Sequence, residues 1–161
     1  MTGAGEVVRW LTGRAQTLAV AESLTGGLLA AAIVAVPGAS TVFRGGLVVY
    51  ATDLKESLAG VPAELLAARG PVDPEVAVAM AEGARERCRA DWGLATTGVA
   101  GPDPQDGVPP GRVYVAVAGP APIAGSGAAP DRVRSLTVPG DRAAVREAAV
   151  AAALALLPVP A

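Results

Sequence analysis

This chain is predicted to adopt an α/β fold, a single-domain layered sandwich with a mixed β-sheet flanked by helices, over residues 1–161. Three observations predict it. Short apolar or alternating runs at 17–21, 46–50, 92–97, 112–118 and 132–138 read as strands. Longer stretches rich in alanine and leucine fall between them, an alternation that places helices against a sheet. A length of 161 residues suits one domain that buries roughly 70% of its extended-chain surface. There is no internal repeat and no sign of a second domain.

The elements follow in order. Residues 7–11 open with a helix, and 17–21 form a short strand. After Gly26-Gly27 the apolar run 28–36 is helical by its alanine content and is closed by Pro37-Gly38. Residues 46–50 form a compact strand, followed by two helices before Gly70, one from about Thr52-Asp53 and one from about Pro62. Asp73-Pro74-Glu75 combines an N-cap side chain with proline at the first helical position, and opens a helix to about Arg89. The strand at 92–97 runs into Thr97-Gly98-Val99-Ala100-Gly101-Pro102, and the proline- and glycine-rich 102–111 is loop. The strands at 112–118 and 132–138 are joined by a small-residue connection over 119–130, a hairpin loop or a flexible link. Pro139-Gly140-Asp141 caps a last helix to about Leu157, where Pro158 stops it.

Composition narrows the chemistry. Hydrophobic residues make up 52% of the chain but aromatics only 3%, so the core is built from Ala, Val and Leu. A net charge of −2 with both signs scattered argues against a nucleic-acid partner held by bulk electrostatics. Cys88 is alone, which leaves no disulfide framework and no thiolate metal site, and its context reads as the end of an amphipathic helix. Residues 1–6 lack the pattern of a signal peptide, and the apolar run 28–37 is about half of a bilayer span. The expectation is a cytoplasmic protein with no membrane partner and no cofactor or metal. Low aromatic content and apolar helices suit burial in a homo-oligomer.

Lys55 is the only lysine; the other twelve of the 13 basic residues are arginine, and there is no histidine. An amine shifts its pKa readily on burial and can serve as a base, whereas a guanidinium stays protonated. With imidazole chemistry excluded, a base near neutral pH must be Lys55, a perturbed carboxylate or a tyrosine. Lys55 follows Tyr50, one of only two tyrosines. Four segments place polar residues at element junctions. In Ala21-Glu22-Ser23-Leu24-Thr25-Gly26-Gly27, glycines and a helix N-terminus offer N–H groups to an anion or oxyanion, and Ser23 reads either as a nucleophile or, like Thr25, as a helix N-cap. Pro37-Gly38-Ala39-Ser40-Thr41 is a turn presenting Ser40. Residues 50–55 join a strand end to a helix start. Thr97 to Pro102 is a glycine loop at a strand's carboxyl end, the usual ligand edge of an open α/β sheet. Asp141-Arg142 adds an arginine suited to a phosphate or carboxylate.

Several alternatives fail. No Gly-Lys pair forms a Walker A loop, no serine has a lysine three residues later, and the strict dinucleotide fingerprint is absent.

Taken together, Ala21 to Gly27, Pro37-Gly38-Ala39-Ser40, Phe43, Gly46, Tyr50, Lys55, Gly60-Val61, Gly70-Pro71-Val72, Ala90-Asp91, Thr97 to Pro102 and Gly140-Asp141-Arg142 resemble the CinA C-terminal domain family over roughly residues 6–157. That family includes the bacterial nicotinamide-mononucleotide (NMN) amidohydrolases, which hydrolyse the linear carboxamide of NMN to nicotinic acid mononucleotide and ammonia in pyridine-nucleotide recycling. They resemble serine amidohydrolases with a serine-lysine dyad and neither metal nor cofactor. The resemblance implies Lys55 as general base and leaves Ser23 and Ser40 as competing nucleophiles. Ser23 is favoured because glycine and helix N–H groups follow it; Ser40 would then relay a proton or position the amide. Tyr50 would hydrogen-bond the dyad. Thr25, Gly26, Gly27, Thr97, Gly98 and Gly101 would contact NMN, and Arg142 its 5′-phosphate. Ala51-Thr52, Asp73, Leu24 and Val108 depart from the family's usual Ser-Asn, serine, cysteine and lysine. A carboxylate at Asp73 would repel a phosphate if it faced the pocket and would otherwise cap its helix. With few residues before the domain, the stand-alone form is expected. A non-catalytic nucleotide- or partner-binding module of the same fold is the alternative.

Overall fold

A computed structural model describes residues 2–120 and 132–160. Its elements are α1 (Ala4–Arg14), β1 (Leu18–Glu22), α2 (Leu28–Val34), a 3-10 turn (Ala39–Thr41), β2 (Phe43–Val48), α3 (Thr52–Ser57), α4 (Ala63–Arg69), α5 (Pro74–Arg87), β3 (Trp92–Gly98), β4 (Arg112–Ala118), β5 (Val133–Thr137) and α6 (Arg142–Leu154). The strands form one sheet in the order β2-β1-β3-β4-β5. β1 runs parallel to both neighbours, and β3, β4 and β5 pair antiparallel, so the sheet is mixed as expected.

Strand periodicity sorts the core onto two faces. Leu18, Val20, Leu94, Val113 and Val115 pack with α1, α2 and α6. Ala19, Ala21, Ala95, Ala116 and Ala118 pack with Val76, Ala77, Met80 and Ala81 of α5. The buried sheet residues of that second set are all alanine, with Leu47, Tyr114 and Val133 packed only partly buried beside them, and α5 lies correspondingly close. A Cβ added at Gly93 of β3 would stand 2.0 Å from the Ala81 carbonyl oxygen. The buried centre of that face thus has no room for large side chains, which fits the aromatic-poor composition.

β2 starts at Phe43, three residues before the expected strand, and ends at Val48. Gly45-Gly46 hid its start, because glycine is depleted in strands. Here Gly46 is required for packing: a Cβ there would meet Val20 Cγ2 at 2.9 Å. α1 extends three residues beyond each end of the predicted stretch, its first turn closed by the Gly3 N–H donating to Glu6 Oε2 at 2.8 Å. The expected connection over 119–130 falls, beyond Pro120, outside the described residues. Among the described residues, no helix is long and apolar enough to cross a membrane.

Because β1, β2 and β3 are parallel, their carboxyl ends share one edge of the sheet. Ser23 follows β1, Tyr50 and Lys55 follow β2, and Gly98 ends β3. The antiparallel return through β4 and β5 then delivers Arg142, the first residue of α6, to the same edge.

Candidate functional site

A cavity of about 380 Å³ opens at that edge. Ser23, Lys55 and Thr97 lie at its buried side, and Tyr50, Asp103 and Arg142 are among its exposed or part-exposed lining. Ser23 ends β1's extended course: its N–H donates to the Thr96 carbonyl at 3.0 Å, and its own carbonyl accepts from the Gly26 N–H at 3.1 Å. The chain therefore leaves the sheet at Ser23 in a tight turn, with the side chain at the cavity. Lys55 sits on the short helix α3 and is 1% exposed.

Lys55 Nζ is 3.0 Å from Ser23 Oγ, 2.9 Å from the Val49 carbonyl oxygen and 3.3 Å from the Tyr50 carbonyl oxygen. No carboxylate is among these partners. Burial accordingly lowers the Lys55 pKa from 10.5 to about 8, because desolvation penalises the charged ammonium. Two of the three partners are carbonyls, which only accept. In the neutral amine both N–H bonds go to them, and the lone pair is left facing Ser23 Oγ.

The remaining predicted residues divide. Gly98 and Gly101 line the cavity. Thr97 lines it too, but its buried hydroxyl is spent on the Pro71 carbonyl at 2.6 Å and so holds the cavity wall. Arg142 donates to the Gly101 carbonyl at 2.7 Å and to Tyr50 Oη at 3.0 Å, joining three segments of the rim. The Tyr50 hydroxyl therefore meets Arg142, and its bond to the dyad is made by the main-chain carbonyl, which accepts from Lys55 Nζ.

Four expected residues lie elsewhere. Ser40 is exposed in the 3-10 turn and lines a separate depression with Val34, Pro37 and Phe43. It does not line the cavity that holds Lys55, and the turn geometry after α2 carries it away. Thr25, Gly26 and Gly27 do not line that cavity either. Thr25 is fully buried, with its hydroxyl 2.6 Å from Glu22 Oε1 and 2.8 Å from Thr96 Oγ1. Gly26 and Gly27 take positive φ values of 55° and 102°, so their role is to turn the chain into α2.

Known proteins bear on this arrangement. The sequence profile of the CinA C-terminal domain matches residues 2–159. This chain belongs to the CinA C-terminal domain family. A CinA-like protein of Frankia casuarinae is 51% identical over 95% of this chain and 34% of its own length. Another from an Anaeromyxobacter is 49% identical over 94% of this chain and 35% of its own. The chain thus spans about a third of the length of these curated relatives. Among solved structures, the competence/damage-inducible protein CihA of Agrobacterium tumefaciens superposes with a TM-score of 0.85 at 33% identity, covering 96% of this chain and 90% of that one. A CinA superfamily protein of Escherichia coli gives 0.84 at 32% identity, covering 96% and 86%.

Where this chain departs from the usual CinA pattern, Asp73, Ala51 and Val108 lie outside the cavity's lining, whereas Leu24 is part of it. Asp73 accepts from the Glu75 N–H at 2.8 Å as the N-cap of α5, and does not line the cavity. Ala51 is the N-cap position of α3. Val108 closes a small turn with Gln105, its carbonyl accepting from the Gln105 N–H at 3.1 Å. Leu24 is buried, and its carbonyl accepts from Arg146 Nε at 3.0 Å. Arg146 and Glu22 were not singled out from the CinA-like motifs. The signal for Glu22 was available, since a carboxylate closing the apolar strand Leu18–Glu22 must find buried donors. Arg146 offered only its position one helical turn beyond Arg142.

Proposed function

We propose that this domain is a serine-lysine amidohydrolase that converts the carboxamide of NMN to the carboxylate of nicotinic acid mononucleotide, releasing ammonia. The observation that carries the reading is the 3.0 Å contact between Lys55 Nζ and Ser23 Oγ, both buried at one cavity. A lysine that a neighbouring carboxylate does not hold charged, and whose pKa burial brings to about 8, is a competent base near neutral pH.

In the first step Ser23 Oγ attacks the carboxamide carbon as Lys55 takes its proton. The tetrahedral adduct collapses by breaking its C–N bond, and Lys55 returns the proton to the departing nitrogen, which leaves as ammonia. Water then attacks the acyl-serine ester and gives its proton to Lys55. Collapse breaks the ester bond, Ser23 recovers a proton from Lys55, and the carboxylate product is freed.

Developing negative charge on the amide oxygen needs preorganised donors. The Gly98 N–H is well placed. Alternate residues of β3 face β1, and Thr96, two residues earlier, bonds to Ser23 on that side. By that alternation the Gly98 N–H also points to the β1 side, where the Ser23 carbonyl is instead taken by the Gly26 N–H, at the cavity that both Ser23 and Gly98 line. Arg142, at the far rim, suits the 5′-phosphate.

The test is to supply NMN to the purified protein and follow ammonia, with Lys55→Ala in parallel. Release by wild type alone is expected. Silence from both would abandon NMN hydrolysis in favour of another amide or a binding module.

A further inference from the structure

Glu22 is a buried acid that the reaction as written does not use. It is 0% exposed, directly precedes Ser23, and lies outside the lining of the cavity. Its Oε1 accepts from the Thr25 hydroxyl at 2.6 Å and from the Leu29 N–H at 2.8 Å, while Oε2 accepts from the Ala30 N–H at 3.0 Å. Proton direction along the chain is fixed by these contacts. A carboxylate only accepts, so Thr25 donates to it, and the 2.8 Å contact between Thr25 Oγ1 and Thr96 Oγ1 leaves Thr96 as donor. Thr96 in turn offers its main-chain carbonyl to the Ser23 N–H.

One carboxylate thus ties together the end of β1, the turn at Thr25, the first turn of α2 and, through the threonines, β3. Arg146 closes the same turn from α6, donating to the Leu24 and Thr25 carbonyls at 3.0 Å each. Ser23 is the residue this lattice surrounds. Its main chain is fixed at both ends while its side chain alone is left toward Lys55. The Leu28 N–H goes to the Thr25 carbonyl and those of Leu29 and Ala30 to Glu22, so the helix N-terminus expected to receive the oxyanion is already occupied.

We propose that Glu22 is the positioning residue for the nucleophile: through Thr25 and α2 it holds Ser23 Oγ within reach of Lys55 without touching substrate. This rests on the serine-lysine reading above. Gln at this position cannot replace it, because an amide that accepts from Thr25 and Leu29 with its oxygen must turn its NH₂ toward the Ala30 N–H. A misplacement on the order of 1 Å costs about 100-fold in rate.

The experiment reads Ser23 directly, as the rate at which a fluorophosphonate labels it, with the labelled residue located by peptide mass spectrometry. Folded Glu22→Gln, checked by circular dichroism, is expected to label about 10- to 100-fold more slowly than wild type. Thr25→Ala is expected to slow as well and Thr25→Ser to recover most of the rate, a pair that carries the test if Glu22→Gln does not fold. With NMN, kcat should fall in step while KM stays within about twofold, as for an interaction absent from substrate binding. Wild-type labelling rates in Glu22→Gln or, where that variant does not fold, in Thr25→Ala would assign Glu22 to fold stability alone and overturn the proposal. A wild type that takes up no label would remove Ser23 as nucleophile, and the proposal with it. Because the label does not depend on NMN, the comparison decides on Glu22 even if the true substrate is a different amide.

Discussion

Among the described residues Lys55 heads the fully buried side chains by volume, and its burial has two measurable consequences. The first is kinetic. With a pKa of about 8, only about a tenth of the amine is neutral at pH 7, so kcat/KM for NMN should rise close to tenfold per unit below that pKa and level off above it. Lys55→Arg should be inactive at every pH, since a guanidinium supplies no lone pair; substantial activity in that variant would rule out a neutral-amine base. The second is thermodynamic. The folded-state pKa lies below the unfolded value of 10.5, so the unfolded chain binds the extra proton between about 8 and 10.5. The cost of burying the amine is therefore fully present below 8 and is relieved as pH rises through that window. By linkage, wild type should gain about 2 kcal/mol on Lys55→Met between pH 7 and pH 10, read from urea unfolding at each pH. An unchanged difference would mean that the amine is not desolvated.

At the scale of elements, capping chemistry was the most legible feature of the sequence. Asp73-Pro74-Glu75 marked the start of α5, and Asp141 accepts from the Ala144 N–H at 2.9 Å at the start of α6. Both caps are local, so sequence shows them. Asp73→Ala should lower stability by about 1 kcal/mol by leaving an orphan N–H, with KM for NMN unchanged because the carboxylate faces its own helix. A lowered KM would put that charge back at the pocket. The start of β2 was less legible, because its glycines answer to Val20 on a neighbouring strand and not to local propensity. The site divides in the same way. Lys55, Ser23 and the glycine loop stood out by rarity and by their position at strand ends. Ser40 drew notice equally, yet its turn faces a different depression. The Glu22–Thr25–Thr96 lattice spans 74 positions of sequence, and only the β1–β3 register brings its ends together.

For the molecule as a whole, the cavity is where segments distant in sequence converge: the turn after β1, the start of α3, the loop after β3 and the first residue of α6. Arg142 ties two of them through Gly101 and Tyr50. A nucleotide that spans from Ser23 to Arg142 would add a link between the ends of the chain that only the folded state can make. Binding to the folded state alone stabilises it by about 2.7 kcal/mol at a ligand concentration of 100 Kd. For a chain of 161 residues this corresponds to a Tm rise of roughly 5–10 °C. Lys55→Ala is the protein to use, since it should hold NMN without consuming it. Adding Arg142→Ala should remove most of the shift if that side chain carries the phosphate, and inorganic phosphate alone should then protect the single variant better than the double one. An equal shift in both would place the phosphate elsewhere on the rim while leaving the Ser23–Lys55 chemistry untouched, because the two ends of the cavity are separate contributions to the same binding energy.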